Sequence, residues 1–214
     1  TYNKLYGRTT NAYSPHHTPG GSSGGEGAII GAGGSPIGLG GDIGGSIRLP
    51  SFFNGIAGHK ATGGRIPETG CWPGVSGQIA RFKVCGPMAR SVRDLQAVLP
   101  LLARPDGIDK SVDGPPWGVS PAYSPKTVRV YWFDDNGVPG ARPTADIVGA
   151  VERTTGALSD LGFEVLPWRP PGTKRAFQMW AHALEQGGSH TFRETLGDFQ
   201  PIKLKRQWLR WPLR

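Results

Sequence analysis

Residues 19–50 read PGGSSGGEGAIIGAGGSPIGLGGDIGGSIRLP. The stretch holds two glycine-framed serine clusters, Gly20-Gly21-Ser22-Ser23-Gly24-Gly25 and Asp42-Ile43-Gly44-Gly45-Ser46. From Gly20 to Gly45, thirteen of 26 residues are glycine. That is too many for ordinary helices or strands, because glycine loses the most backbone freedom on ordering. Glycine admits positive φ and lets backbone approach a ligand closely. A run of amide N–H groups without side-chain crowding is what an anion site needs. Serine beside such amides suggests a nucleophile next to an oxyanion stabiliser. Taken singly, each serine also reads as a plain turn residue, and an isolated GGSSGG also reads as a flexible linker.

Working outward, residues 1–19 are polar and read as loop, with the adjacent His16 and His17 pointing apart. Glu26 to Gly33 fits a short helix whose small residues pack closely, with Glu26 at its positive end. Ser35 to Leu39 suits a buried strand, and Gly40-Gly41-Asp42 a turn into the second cluster. A helix follows Ser46 toward Asn54, limited by Pro50. Ser91 with Asp94 predicts a capped helix start, and Val92, Leu95, Val98, Leu99 and Leu102 then recur at helical spacing. Residues 104–126 read as a loop. Thr127–Phe133 alternates as a strand, Thr144–Leu161 is helical with Ile147, Val148, Val151, Leu158 and Leu161 on one face, and Phe163–Leu166 is a second strand. This order predicts a parallel βαβ unit with a right-handed crossover. Ala176–Leu184 reads as a helix stopped by Gly187-Gly188. Residues 203–214 are basic with interleaved Trp and Leu, a pattern shared by membrane-surface helices and by amphipathic helices packed on a partner.

The chain has 214 residues, and Gly and Pro make up 54 of them (34 + 20). The glycines cluster around the two serines while apolar residues are spread elsewhere, which argues for a folded protein with one glycine-lined site. The net charge is +8, compatible with an anionic partner or with a part of a larger, differently charged whole. Two cysteines, Cys71 and Cys85, make no disulfide framework and are expected as free thiols. No apolar run is long enough to span a bilayer. Nucleotide binding fails on spacing, since neither G-x-G-x-x-G nor G-x-x-x-x-G-K-[ST] occurs. None of the five histidines lies in a triad motif, and no G-x-S-x-G elbow surrounds Ser46.

The pairing of GGSSGG with GGDIGGSIR, 24 residues from Ser22 to Ser46, resembles the amidase signature family. GGSSGGEG and GGDIGGSIRLPSFFNGIAGHK are most similar to its fatty-acid amide hydrolase branch, and Gly86-Pro87-Met88-Ala89-Arg90 matches a further family segment. The resemblance implies an α/β fold, a mixed β-sheet core flanked by helices on both faces. It makes residues 1–214 a partial domain, with a signature core at about 19–90, a βαβ-like extension at about 127–166, and N-terminal and C-terminal parts missing. It implies amide hydrolysis by a Ser-Ser-Lys triad through an acyl-enzyme. Ser46 is the nucleophile and Ser22 the proton relay, held by a cis Gly21–Ser22 peptide. The oxyanion hole is built from the amides of Ile43, Gly44, Gly45 and Ser46, supported by Asp42 and Arg48.

The triad lysine is expected upstream of Thr1, outside this chain, so residues 1–214 alone are expected to be inactive. Lys60 falls in a structural turn of the family. His59, Ala61 and Gly41 depart from the family pattern. No metal or cofactor is expected. The implied partner is a small-molecule amide, fatty-acyl or aryl, and not nucleic acid; a membrane surface and a homodimer stay open. The implied location is cytoplasmic, with membrane association open. The alternatives are the amidase-type component of a tRNA-dependent amidotransferase and a catalytically inert fragment.

Overall fold

The structure, a computed structural model, describes residues 1–72, 74–75, 78–112, 117–118, 124–138, 140 and 142–186. The expected helix stop at 187–188 and the basic segment 203–214 lie outside them, as does part of the 104–126 loop. Among the described residues two compact units are distinguished, one of residues 1–118 with 183–186, the other of residues 124–182.

In the first unit the sheet is antiparallel, built from β3 (Ile37–Asp42), β4 (Ala57–Gly58) and β5 (Val84–Ala89) in the order β3-β5-β4. All six residues of β5 are buried, and their alternation decides what each face packs. Cys85 and Ala89 join Leu95 and Leu99 of α4 (Val92–Leu102), together with Ala61, Ile66 and Ala103. Met88 points the other way, into a cluster with Ile30 of α1 (Gly24–Gly31) and Ile47 before α2 (Arg48–Phe53). Helices therefore cover both faces of this sheet, as the α/β reading requires. A five-residue helix, α3 (Gln78–Phe82), leads into β5.

Helix α4 starts where its cap predicts: Ser91 Oγ accepts from Asp94 N–H at 3.2 Å and donates to the Asp94 carboxylate at 2.8 Å. Val92 is the exception on its apolar face, 63 % exposed at the first helical position. Three further expectations are corrected. Gly40-Gly41-Asp42 is not a turn but the end of β3, because these residues find antiparallel partners in Gly86, Cys85 and Val84. Helix α1 starts at Gly24, two residues early. Residues 1–19 are not all loop: β1 (Tyr2–Asn3) and β2 (Gly7–Arg8) form a small antiparallel pair.

The second unit contains a strand–helix–strand order with parallel strands, in the sequence order expected. Strands β6 (Arg129–Trp132) and β7 (Glu164–Pro167) pair in parallel, Val130 opposite Val165, on either side in sequence of α5 (Ala145–Asp160). No residue of α5 is fully buried, and Leu161, expected on its apolar face, is 67 % exposed beyond the helix end. A 3₁₀ turn at Thr173–Arg175 precedes α6 (Ala176–Gln186). Among the described residues no helix is long and apolar enough to cross a membrane.

Candidate active site

The two serine clusters lie at the ends of elements that the sheet brings together. The first runs into the start of α1 and the second leads from the end of β3 toward α2. Ser23 joins them: its N–H donates to the Ser46 carbonyl at 3.2 Å, and its hydroxyl accepts from Gly41 N–H at 3.3 Å. Gly40 makes this approach feasible. A Cβ there would lie 2.8 Å from Ser23 Oγ and 2.9 Å from Ile47 Cγ1, so a side chain would force the clusters apart. Ser22 is exposed and Ser46 half-buried, and the Gly21–Ser22 peptide is cis.

Asp42 organises the second loop from within. Its side chain is wholly buried and would be costly to ionise there unless paired. Its Oδ1 accepts from Gly45 N–H at 2.7 Å, and its Oδ2 from Ile47 N–H at 3.1 Å and Arg48 N–H at 3.3 Å. The Arg48 guanidinium meets it side-on, Nε to Oδ2 at 3.0 Å and Nη2 to Oδ1 at 3.1 Å. Burial alone pushes this carboxyl up. The Arg48 side chain and the amides of Gly45, Ile47 and Arg48 outweigh it and hold the pKa at about 2, below the ordinary 3.8. Arg48 is in turn raised, mainly by the Asp42 hydrogen bond against the opposing effect of burial.

This clamp refines the expected oxyanion donors. The Gly45 amide hydrogen is directed into the loop at Asp42, with Gly45 at φ +120°, a backbone conformation that favours glycine. Gly44 and Ser46 are not among the amides that Asp42 binds.

Lys60 is tied to the strand-side backbone before β5. Its Nζ donates to the Phe82 carbonyl at 2.8 Å. Burial lowers its pKa, with Asp42 and Glu68 opposing that and Arg48 adding to it. His17 Nδ1 contacts Ser14 Oγ at 2.8 Å in the exposed loop. No group of three or more metal-capable side chains occurs among the described residues.

Sequence reasoning did not single out Ser23 as the link between clusters, nor Asn54 beneath them. Asn54 is wholly buried and was legible only as a helix end. A polar residue two positions after an exposed Phe52 carries no signal of what it will bond to.

The family model described as Amidase matches residues 1–211. Fatty-acid amide hydrolase 1 of Sus scrofa is 38% identical over 201 residues, covering 92% of this chain and 34% of that protein. An acetamidase of Aspergillus oryzae is 36% identical over 178 residues, covering 79% of this chain and 32% of its own length. Among solved structures, a fatty acid amide hydrolase superposes with a TM-score of 0.76 at 31% identity, covering 94% of this chain and 36% of that one. A 6-aminohexanoate cyclic dimer hydrolase gives 0.73 at 30% identity, covering 86% and 39%. The chain thus spans about a third of the length of the two curated relatives.

Proposed function

Because this chain belongs to the amidase family, we propose that its full polypeptide hydrolyses carboxylic amides, with Ser46 as nucleophile, Ser22 as proton relay and a lysine as general base. The observation that supports this most directly is the Ser23 N–H to Ser46 carbonyl hydrogen bond at 3.2 Å. It brings the residue after Ser22 against Ser46, as a relay between two serine hydroxyls needs.

Ser46 Oγ forms the new bond to the carbonyl carbon and gives up its proton to Ser22, which passes its own to the lysine. The amides of Ile43, Gly44 and Ser46 receive the oxyanion, each well-aimed donor lowering the barrier by about 3 kcal/mol. As the tetrahedral adduct collapses the C–N bond breaks, and Ser22 returns a proton to the departing nitrogen. Water then gives a proton through Ser22 to the lysine as its oxygen attacks the acyl carbon; the acyl–Oγ bond breaks, Ser46 takes a proton back from Ser22 and the carboxylic acid leaves. Asp42 and Arg48 hold the loop rigid throughout. The lysine is neither Lys4, which lies outside the family's lysine motif, nor Lys60, whose ammonium is committed to Phe82.

The relatives are named for fatty-acid amides and for acetamide, so the acyl group taken here is proposed to be apolar, with its length open. Residues 1–214 are proposed to be a partial domain, its signature core at about 19–90. Contact with a membrane surface and homodimer formation belong to the same reading of the full polypeptide.

A fluorophosphonate probe tests the assignment. It is expected to label Ser46 in the full polypeptide, and Ser46→Ala to abolish both labelling and amide turnover. Undiminished turnover by Ser46→Ala would reject Ser46 as nucleophile.

A further inference from the structure

We propose that Asn54 is the positioning residue for Ser22, fixing the approach of the first serine cluster to the second; this rests on the relay role proposed for Ser22 above. Asn54 follows α2 directly, eight residues after Ser46, and is fully buried. Its carboxamide bridges two remote segments. Nδ2 donates to the Pro19 carbonyl at 2.8 Å and to the Pro50 carbonyl at 2.9 Å, while Oδ1 accepts from Ala12 N–H at 3.1 Å. Pro19 is the residue that leads into Gly20-Gly21-Ser22, and Pro50 belongs to the helix that follows Ser46. One side chain therefore ties the entry of one cluster to the exit of the other.

The surroundings leave this side chain no slack. Gly20, at φ +78°, lies against α2 so closely that a Cβ there would sit 2.9 Å from both Pro50 N and Pro50 Cα. A Cβ on Gly27 would sit 2.9 Å from Asn54 Nδ2, and one on Gly31 would sit 3.1 Å from Asn54 Cβ, so α1 packs directly on the amide. Asn11 adds a second tie, its Nδ2 donating to the Phe53 carbonyl at 2.7 Å. Two donors and one acceptor at one buried point are what a primary carboxamide supplies. A carboxylate keeps the acceptor but leaves the Pro19 and Pro50 carbonyls without a side-chain donor, and an alkyl group also leaves the Ala12 N–H without its acceptor.

Ser22 serves both the activation of Ser46, which amides and esters share, and the return of a proton to the leaving group, which they do not. A displaced Ser22 weakens proton delivery to the leaving group. An amide nitrogen must be protonated to depart, whereas a p-nitrophenolate needs no proton. Loss of Asn54 should therefore harm amides more than activated esters of the same acid.

The experiment measures kcat and KM on the full polypeptide for an acyl amide and the matching p-nitrophenyl ester, comparing wild type, Ser22→Ala, Asn54→Ala and Asn54→Ser. The ratio of amide to ester kcat is independent of the amount of folded enzyme. It is expected to fall about 10- to 100-fold in Asn54→Ala, in the same direction as in Ser22→Ala, with both KM values little changed. Asn54→Ser, which refills part of the hydrogen bonding and perturbs folding less, is expected to fall between wild type and Asn54→Ala. Should Ser22→Ala shift the ratio while both Asn54 variants lose amide and ester turnover in equal proportion, Asn54 is merely structural and the inference is overturned while the relay survives. Should Ser22→Ala itself leave the ratio unchanged, the relay role fails, and the inference with it.

Discussion

Asp42 is the residue on which the second serine loop depends. Five hydrogen bonds converge on one buried carboxylate, and its pKa is held at about 2 against an ordinary 3.8. A group more acidic in the folded than in the unfolded chain contributes stability that is complete above the unfolded value. That stability is lost as the pH falls from about 4 toward the folded value. The shift corresponds to about 2 kcal/mol. Acid denaturation followed by circular dichroism is expected to be steep between about pH 4 and pH 2, and Asp42→Asn to flatten that part of the curve while lowering stability at neutral pH. An unaltered acid limb in Asp42→Asn would mean that the clamp carries no linkage.

At the scale of elements, β5 is where the two serine loops are indirectly set. Its central place lets β3 end beside it at Asp42 opposite Val84, while β4 pairs on its other edge. Gly86 in its middle is pressed by the backbone carbonyl of His59 and by Ile47 Cδ1, the latter 3.1 Å from where a Cβ would sit. A backbone oxygen cannot rotate away as a side chain can. Gly86→Ala is therefore expected to separate the strand from the segment after β4 and to cost about 1–3 kcal/mol, read as a lower urea midpoint at unchanged slope. Gly41→Ala, in the neighbouring strand, meets nothing within 4 Å and serves as the comparison, with a much smaller loss expected.

Over the whole molecule, burial is unevenly distributed. Every residue of β5 is buried, whereas α5, the longest described helix, has none that is. Local opening costs least where few apolar contacts are lost. Hydrogen exchange is expected to be slowest in β5 and in the buried turns of α4 around Leu95 and Leu99, and markedly faster along α5. Equal protection in α5 and β5 would contradict this order.

Much of this organisation was legible along the chain. The two serine clusters, their 24-residue spacing, the Ser91 cap of α4 and the strand–helix–strand order at 127–166 are all local patterns. Their physics acts over a few residues: glycine's freedom, a cap's reach, the periodicity of a strand or a helix. What the linear pattern left undecided is set by partners far away in sequence. Gly40-Gly41-Asp42 looks like a turn until β5 supplies a ladder, and Gly45 N–H looks free until the folded loop turns it onto Asp42. Asn54 is an ordinary helix end until Ala12, 42 residues earlier, comes within 3.1 Å. Composition and spacing determined which groups could take part. Tertiary structure decided which hydrogen bonds they make, because a donor's partner depends on which segments the core brings into contact.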